Sequence, residues 1–578
     1  MPRRSATNKQ IADILREIGL IDEAEGVPFK PQAYEVAADQ VAALGEDLSD
    51  LYKACGATCI DAIPGIGKSI AEKIEELVTT GRLKSYEALK KKYPFDMLAL
   101  TGIQNVGPKT ALALYRALKV KTVRDLERVA RAGKVRRVPG FGRKSEDGIL
   151  KGIGFLREHE GRFRLHDLLP FAEGIVAKLR AVPGVTHCEA AGSLRRMKET
   201  VGDVDLVMTA TDPKRALDAF VSLPEVSQAL ERGENRAAVR YRYGVNGDLL
   251  VLKPEEWATA LLHFTGSRDH NVVLRERAIK RGMKLSEYGL FKGKKRVVTK
   301  TEQDVYEALG MDWMPPEIRE NRGEIEAALA HKVPALVGYG DLKGDLQVQT
   351  GWSDGDASIE AMAGEAKRRG LSYLAVTDHT QALAMANGLD EKRLLKQGKE
   401  IDALNKKLRE FRVLKSSECD VRRDGSLDLD DAALKTLDLV CVSVHSSFTL
   451  SEKEQTERII RAFKHPLTNV FFHPTGRIVN AREAYAVDFP RLLRAAREYG
   501  VALEVNGSER LDLKDAHVRE AVEAGVKLVI DSDAHKAEHF DNLRYGISQA
   551  RRGWATRADV LNTKPVGAFL KALKGLKK

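Results

Sequence analysis

The chain has 578 residues and carries 94 Lys and Arg against 83 Asp and Glu, a formal net charge of +11. At roughly 150 residues per domain this length excludes a single core and predicts about four units, while the basic balance suits a polyanionic partner and says nothing of the fold. No run of about 18 apolar residues occurs, the N-terminus opens on an amphipathic pattern rather than an apolar leader, and Cys55, Cys59, Cys188, Cys419 and Cys441 form no C-x-x-C pair, so membrane spans, export, a disulfide framework and a thiolate zinc site are not expected and a reducing cytoplasm is.

The first 160 or so residues read as short helices joined by three glycine turns of one type: Gly65-Ile66-Gly67-Lys68, Gly102 to Gly107 followed by Lys109, and Gly140-Phe141-Gly142 followed by Lys144. Such turns reach φ > 0 and leave backbone amides free at the next helix's start, where a phosphate can bind, with each lysine adding charge. These segments resemble helix-hairpin-helix motifs, which implies grip on a DNA backbone without reading of its sequence.

From about residue 165 the pattern changes to mixed α and β. A helix over 168–179 leads to a strand at 186–191, a turn at 192–196, and a strand bearing Asp203 and Asp205. Strand residues at i and i+2 share a face, so both carboxylates can hold the same hard cations while Val204 faces the core. A strand to Tyr243, a hairpin turn over 244–247 and a return from Asp248 bring a third acid beside the pair. A connection from Trp313 onward holds one acidic helix, Glu317 to about His331. From near Leu342, strands and helices alternate as in a barrel-like α/β domain, and the basic end, Lys571 to Lys578, reads as a solvated helix tail.

Residues 1 to about 318 resemble the family X DNA polymerases, and the whole chain resembles their bacterial form. The signature is Gly192-Ser193-x-Arg195-Arg196 followed by Gly202-Asp203-x-Asp205. The resemblance implies a helical N-terminal region with helix-hairpin-helix motifs, an α+β nucleotidyltransferase palm with a thumb, and a C-terminal barrel. The divisions it suggests are 1–85 (lyase-like), 86–160, 161–255 (palm), 256–318 (nucleotide and template contacts), 319–340 (linker) and 341–578. Ser193, Arg196 and Gly202 would hold the triphosphate, His263, Phe264 and Gly266 the sugar, and Asn271 and Arg275 the minor groove and template. Asp203, Asp205 and Asp248 would bind Mg²⁺ or Mn²⁺ for two-metal nucleotidyl transfer. His263 stands where many members carry Tyr, and Leu250 replaces an arginine often found two residues past the third acid. In the first unit, Lys73 matches the Schiff-base lysine of the repair members' lyase domain, with Lys30 and Tyr34 beside it and Lys68 and Lys84 to depress its pKa. Phe29 replaces a histidine there, and a DNA-facing helix lysine is the alternative.

The last 240 or so residues resemble the PHP (polymerase and histidinol phosphatase) domain, a seven-stranded barrel carrying a metal cluster. Asp354, His379, Glu418, His445, His473, Asp533 and His535 occupy its ligand positions, whereas Gln347 and Gln349 stand in place of its His-x-His. Mn²⁺ or Zn²⁺ suits this set, and glutamine is a weak ligand, so one metal is expected to be missing or replaceable only by Mn²⁺. The activity implied is 3′–5′ exonuclease or abasic-site endonuclease, with a structural remnant as the alternative. The combined reading is a gap-filling repair polymerase acting on gapped or primed duplex DNA with deoxynucleoside triphosphates, a monomer by default. A template-independent nucleotidyltransferase and a DNA-end scaffold with a degenerate barrel are its rivals.

Overall fold

The computed structural model describes residues 6–44, 48–63, 65–158 and 161–577, so Pro64, at the head of the first hairpin turn, lies outside the described residues. The chain forms two compact units, Met1–Glu160 and Gly161–Lys578.

Among its described residues the first unit is all helical, with two clusters of buried side chains. One gathers Ile11, Leu15, Ala37, Ile60, Ile74 and Leu83, and the other Ile21, Leu100, Leu114, Leu126, Ile149 and Ile153. Each hairpin turn buries its apolar residue, Ile66, Val106 or, in part, Phe141, under the helix that follows: Lys68–Thr80, Pro108–Leu118 or Arg143–Glu158. The turn residue with positive φ is Gly65 (79°), Asn105 (69°) and Gly140 (86°). Asn105 therefore takes the place expected of Gly102, which instead ends the helix Met97–Thr101 in right-handed geometry. Asparagine tolerates the left-handed region through local hydrogen bonding, so the repeat survives without its glycine. A second departure concerns the cysteines: Cys55 and Cys59, four apart on consecutive helices around Gly56, form a disulfide with Cα atoms 5.8 Å apart.

In the second unit a five-stranded sheet is ordered Val185–Ala190, Asp203–Ala210, Asn246–Leu252, Arg236–Tyr241, Val226–Arg232. Its central pair is parallel and sets Asp205 directly opposite Asp248. Helices Leu165–Arg180 and Pro213–Val221 cover one face around Leu168, Leu179, Val204, Phe220 and Val251. Helices Trp257–Thr265 and Arg268–Lys280 and a small antiparallel sheet follow. The stretch after Trp313 holds a 3-10 turn at Pro316–Ile318 and a short α-helix that starts only at Glu324 and ends at Leu329, because Asn321 and Gly323 take positive φ ahead of it and Glu324 accepts from the amides of Asn321 and Arg322. It is packed rather than exposed, with Ile325 and Ala328 in a core and Arg319 fully buried.

The C-terminal strands are all parallel, in a three-stranded and a five-stranded set. Arg412–Lys415 and Glu418–Asp420 are one stave broken at Ser416 and Ser417, which leaves seven staves. The first and last staves meet where Val348 bridges Ala534. Inside, Tyr373, Ala375, Cys441, Ala502 and Val529 pack on Phe569 and Leu573 of the helix Val566–Leu576. The basic end is therefore not a free tail: its apolar face plugs the barrel, and Lys577 donates to the Tyr499 carbonyl.

The fully buried Arg319 guanidinium bonds both oxygens of Glu302, which also holds Arg195, and the Met314 carbonyl. Removing Arg319 leaves Glu302 to Arg195 alone and the Met314 carbonyl without its donor, so Arg319→Met is expected to cost about 2–3 kcal/mol in urea unfolding of the second unit. A loss under about 1 kcal/mol would show the pair to be dispensable.

Candidate active sites

The strand Asp203–Ala210 runs exposed, buried, partly buried from its first residue, so Asp203 and Asp205 face one side and fully buried Val204 the other. The short helix Gly192–Arg195 lies directly over them. A Cβ at Gly192, whose φ is +57°, would stand 2.0 Å from the Asp205 carboxylate, so only glycine lets the turn close on the acid. A cleft of about 420 Å³ is lined by Gly192, Ser193, Arg196, Asp203, Asp205, His263, Phe264, Gly266, Asn271 and Arg275, and also by Arg268. Nearly every nucleotide-site residue expected from the sequence thus lines one cleft. The exception is Gly202, which is not among its lining residues.

Gly266 has φ +71°, and a Cβ there would sit 3.1 Å from the Arg196 guanidinium. Asn271 is buried, donates to the His263 carbonyl at 2.6 Å, and keeps its amide oxygen unpartnered. Burial holds His263 below the ordinary histidine pKa.

The carboxylates repel one another. Burial, then the charges of Asp203 and Asp248, push Asp205 up to about 7, and burial followed by Asp248 raises Asp203 as well. Asp248 is drawn to Arg236, which donates to it at 2.6 Å. Arg236 lies directly opposite Leu250 on the neighbouring strand. The guanidinium absent at position 250 is therefore supplied across the hairpin, a partner visible only once the register is known. Hard oxygen donors under mutual repulsion fit a divalent cation, which would have to draw Asp248 from Arg236.

In the barrel, seven ligand-type side chains, Asp354, His379, Glu418, His445, His473, Asp533 and His535, line a second cavity of about 250 Å³ together with Arg510, Leu383, Met385 and Ala386. Glu418 is central: His445 and His473 approach one oxygen at 3.1 and 2.8 Å, and His379 the other at 3.5 Å. Burial alone would raise Glu418, but the surrounding His379 and His445 hold it well below the carboxylate range. Asp354 lies 3.6 Å from His379 and 3.7 Å from His535. Among the described residues, the ligand sets already within 4.8 Å are Asp354–His379–His535 and His379–Glu418–His445. Buried nitrogens of His379 and His473 and the amide oxygen of Gln349 have no hydrogen-bond partner, as expected where lone pairs await a cation. Gln347 differs: its amide donates to Glu418 at 3.2 Å while its oxygen accepts from Asn506 at 2.9 Å, so both its ends are occupied. Arg510, 3.5 Å from Asp533, had no signal in motif spacing.

In the helical unit, Lys73 donates to the carbonyl and hydroxyl of Ser69 at 2.9 and 3.0 Å and lies 5.9 Å from the Tyr34 ring. Burial raises Asp22 against the lowering charges of Lys30 and Lys73, which places this acid beside both lysines. Gly67 and Gly107 cap the helices that begin at Lys68 and Pro108, the latter carrying Lys109, and Lys144 stands in the first turn of the third.

Four family descriptions match the chain: helix-hairpin-helix domain at 6–83, SAM-like helix-hairpin-helix tandem at 97–154, DNA polymerase beta thumb at 260–320, and PHP domain at 345–508. The DNA polymerase/3′-5′ exonuclease PolX of Bacillus subtilis (strain 168) is 36% identical over 572 residues, covering 97% of this chain and 99% of its own. DNA polymerase lambda of Rattus norvegicus is 26% identical over 54% of this chain and 56% of its own. A probable phosphatase of Thermoanaerobacter sp. (strain X514) is 30% identical over 38% of this chain and 90% of its own.

Because Asp205 titrates higher in the folded protein than in the unfolded chain, its ionisation destabilises the metal-free fold progressively as pH rises from about 4 to about 7, and fully above that. Metal-free Asp205→Asn should therefore be more stable than wild type at pH 8, by a few kcal/mol at most, with the gap narrowing towards pH 5. Mg²⁺ should raise the wild-type Tm and leave the variant's nearly unchanged. Equal Tm values at pH 8 without metal would contradict the repulsion.

Proposed function

Since the chain belongs to the bacterial, PHP-bearing form of the family X DNA polymerases, we propose that it fills short gaps in DNA during repair, in the cytoplasm and as a monomer, and trims DNA at a second, barrel-borne centre. The observation that carries the first part is the parallel register of Asp205 with Asp248 beside a cleft lined by Ser193 and Arg196.

In this reading Ser193 and Arg196 bind the β and γ phosphates of a deoxynucleoside triphosphate, Gly266 admits the sugar edge, and Asn271 and Arg275 meet the new pair and the template. Asp203, Asp205 and Asp248 would hold Mg²⁺ or Mn²⁺, which supplies the Lewis acidity that activates a primer 3′-hydroxyl and neutralises the departing pyrophosphate. The free amides and lysines of the hairpin turns would position the duplex through its phosphates. In the barrel, Asp354, His379, Glu418, His445 and His535 would hold Mn²⁺ or Zn²⁺, whose chemistry there is polarisation of a phosphodiester. Asp533 orients His535 through a carbonyl 3.0 Å from its Nδ1, and Arg510 is placed to meet a phosphate oxygen. The glutamines at 347 and 349 make a cluster of fewer metals than the family's usual one, which favours Mn²⁺.

On a gapped duplex, Asp203→Ala should lose about three orders of magnitude in extension and keep its nuclease. His379→Ala should lose nuclease by a similar factor and keep extension. Extension by Asp203→Ala near the wild-type rate would refute the polymerase site, and nuclease unchanged in His379→Ala the second centre. Omitting the template strand separates this reading from a template-independent transferase.

A further inference from the structure

The helix Leu543–Arg552 of the barrel ends beside Arg196, one of the residues lining the nucleotide cleft. Its last residue, Arg552, has a side chain only 2% exposed. One guanidinium nitrogen donates to the Arg196 carbonyl at 2.7 Å, to the Glu317 carbonyl at 3.2 Å and to the Glu320 carboxylate at 3.1 Å, and the other to Asp515 at 2.7 Å. The same Glu320 oxygen accepts from Arg196 Nε at 3.1 Å. A second nitrogen of Arg196 donates to the Thr265 carbonyl.

One largely buried carboxylate is thus shared by two guanidiniums, one lining the cleft and one brought by the barrel. Burial alone would raise Glu320, but Arg552, then Arg196 and Lys198, hold it below the ordinary range, so it stays charged. With Arg552 present, Glu320 is offset from behind and Arg196 keeps a net field towards the cleft. Without it, Arg196 would be the one guanidinium left on Glu320, helped only by the charge of Lys198, and the Arg196 carbonyl would lose its donor.

We propose that Arg552 is a positioning residue of the polymerase site, through which the barrel holds Arg196 ready for the triphosphate. The inference rests on the polymerase reading above. It goes beyond domain packing, because other pairs across the same interface, such as Arg544 with Glu173, touch no residue of the cleft.

The test is steady-state gap filling by the full-length protein, with nuclease on a single strand and thermal melting as controls. Wild-type extension establishes the underlying reading independently of any variant. Arg552→Gln should raise the KM for deoxynucleoside triphosphate about tenfold with kcat within about twofold and nuclease unchanged, whereas Arg544→Gln should change neither constant. The double variant Glu320→Gln with Arg552→Gln should recover much of the lost affinity, since no uncompensated carboxylate then competes for Arg196. If Arg552→Gln does not fold, Arg552→Lys, which keeps the charge but not the fork, should give a smaller rise in KM of the same kind. An unchanged KM in a folded variant, a parallel fall of kcat and nuclease, or no recovery in the double variant would overturn the proposal.

Discussion

The mutual repulsion of Asp203, Asp205 and Asp248 is the constraint on which the palm depends. Strand pairing alone holds these charges together: the parallel register sets Asp205 against Asp248, and the alternation of one strand brings Asp203 to the same face. The rest of the palm serves to bear that cost. Apolar packing fixes the strands from the far face, Arg236 takes part of the charge of Asp248, and the glycine at 192 lets a turn close on Asp205. A site kept under like-charge repulsion has a standing affinity for cations.

The barrel meets the same difficulty with a different solution. There one acid, Glu418, is central, and histidines, which can be neutral or charged, surround it, with Asp354 and Asp533 lining the same cavity. Glutamines at 347 and 349 donate amide protons to Glu418. They satisfy the acid as neutral donors. The two centres are therefore electrostatically distinct within one compact unit, and Arg552 and Glu320 connect the barrel to the cleft of the other.

Much of this was legible in the chain itself where the signal is local. The i, i+2 acids, a hairpin ahead of Asp248 and the order of the barrel motifs follow from spacing, and each resides in a single segment, although the turn lies two residues earlier than the glycines suggest, between the strands ending at Tyr241 and starting at Asn246. What escaped depends on partners distant in sequence. Arg236 replaces the guanidinium missing at 250 only because two strands pair in a particular register. Arg552 reaches position 196 across more than half the chain. The left-handed Asn105, the short helix at Glu324–Leu329 and the Cys55–Cys59 bond were missed for another reason. Backbone conformation and side-chain direction, rather than residue type, decide them. The basic C-terminus misled because its lysines mask the apolar stripe of Phe569 and Leu573.

The most direct test of the central claim is anomalous scattering from crystals of the protein equilibrated with Mn²⁺ and a non-reactive deoxynucleotide analogue. Density for cations is expected between Asp203, Asp205 and Asp248, with Asp248 drawn away from Arg236 and the triphosphate on Ser193 and Arg196. Density confined to the barrel, with Asp248 still paired to Arg236 beside a bound nucleotide, would contradict it.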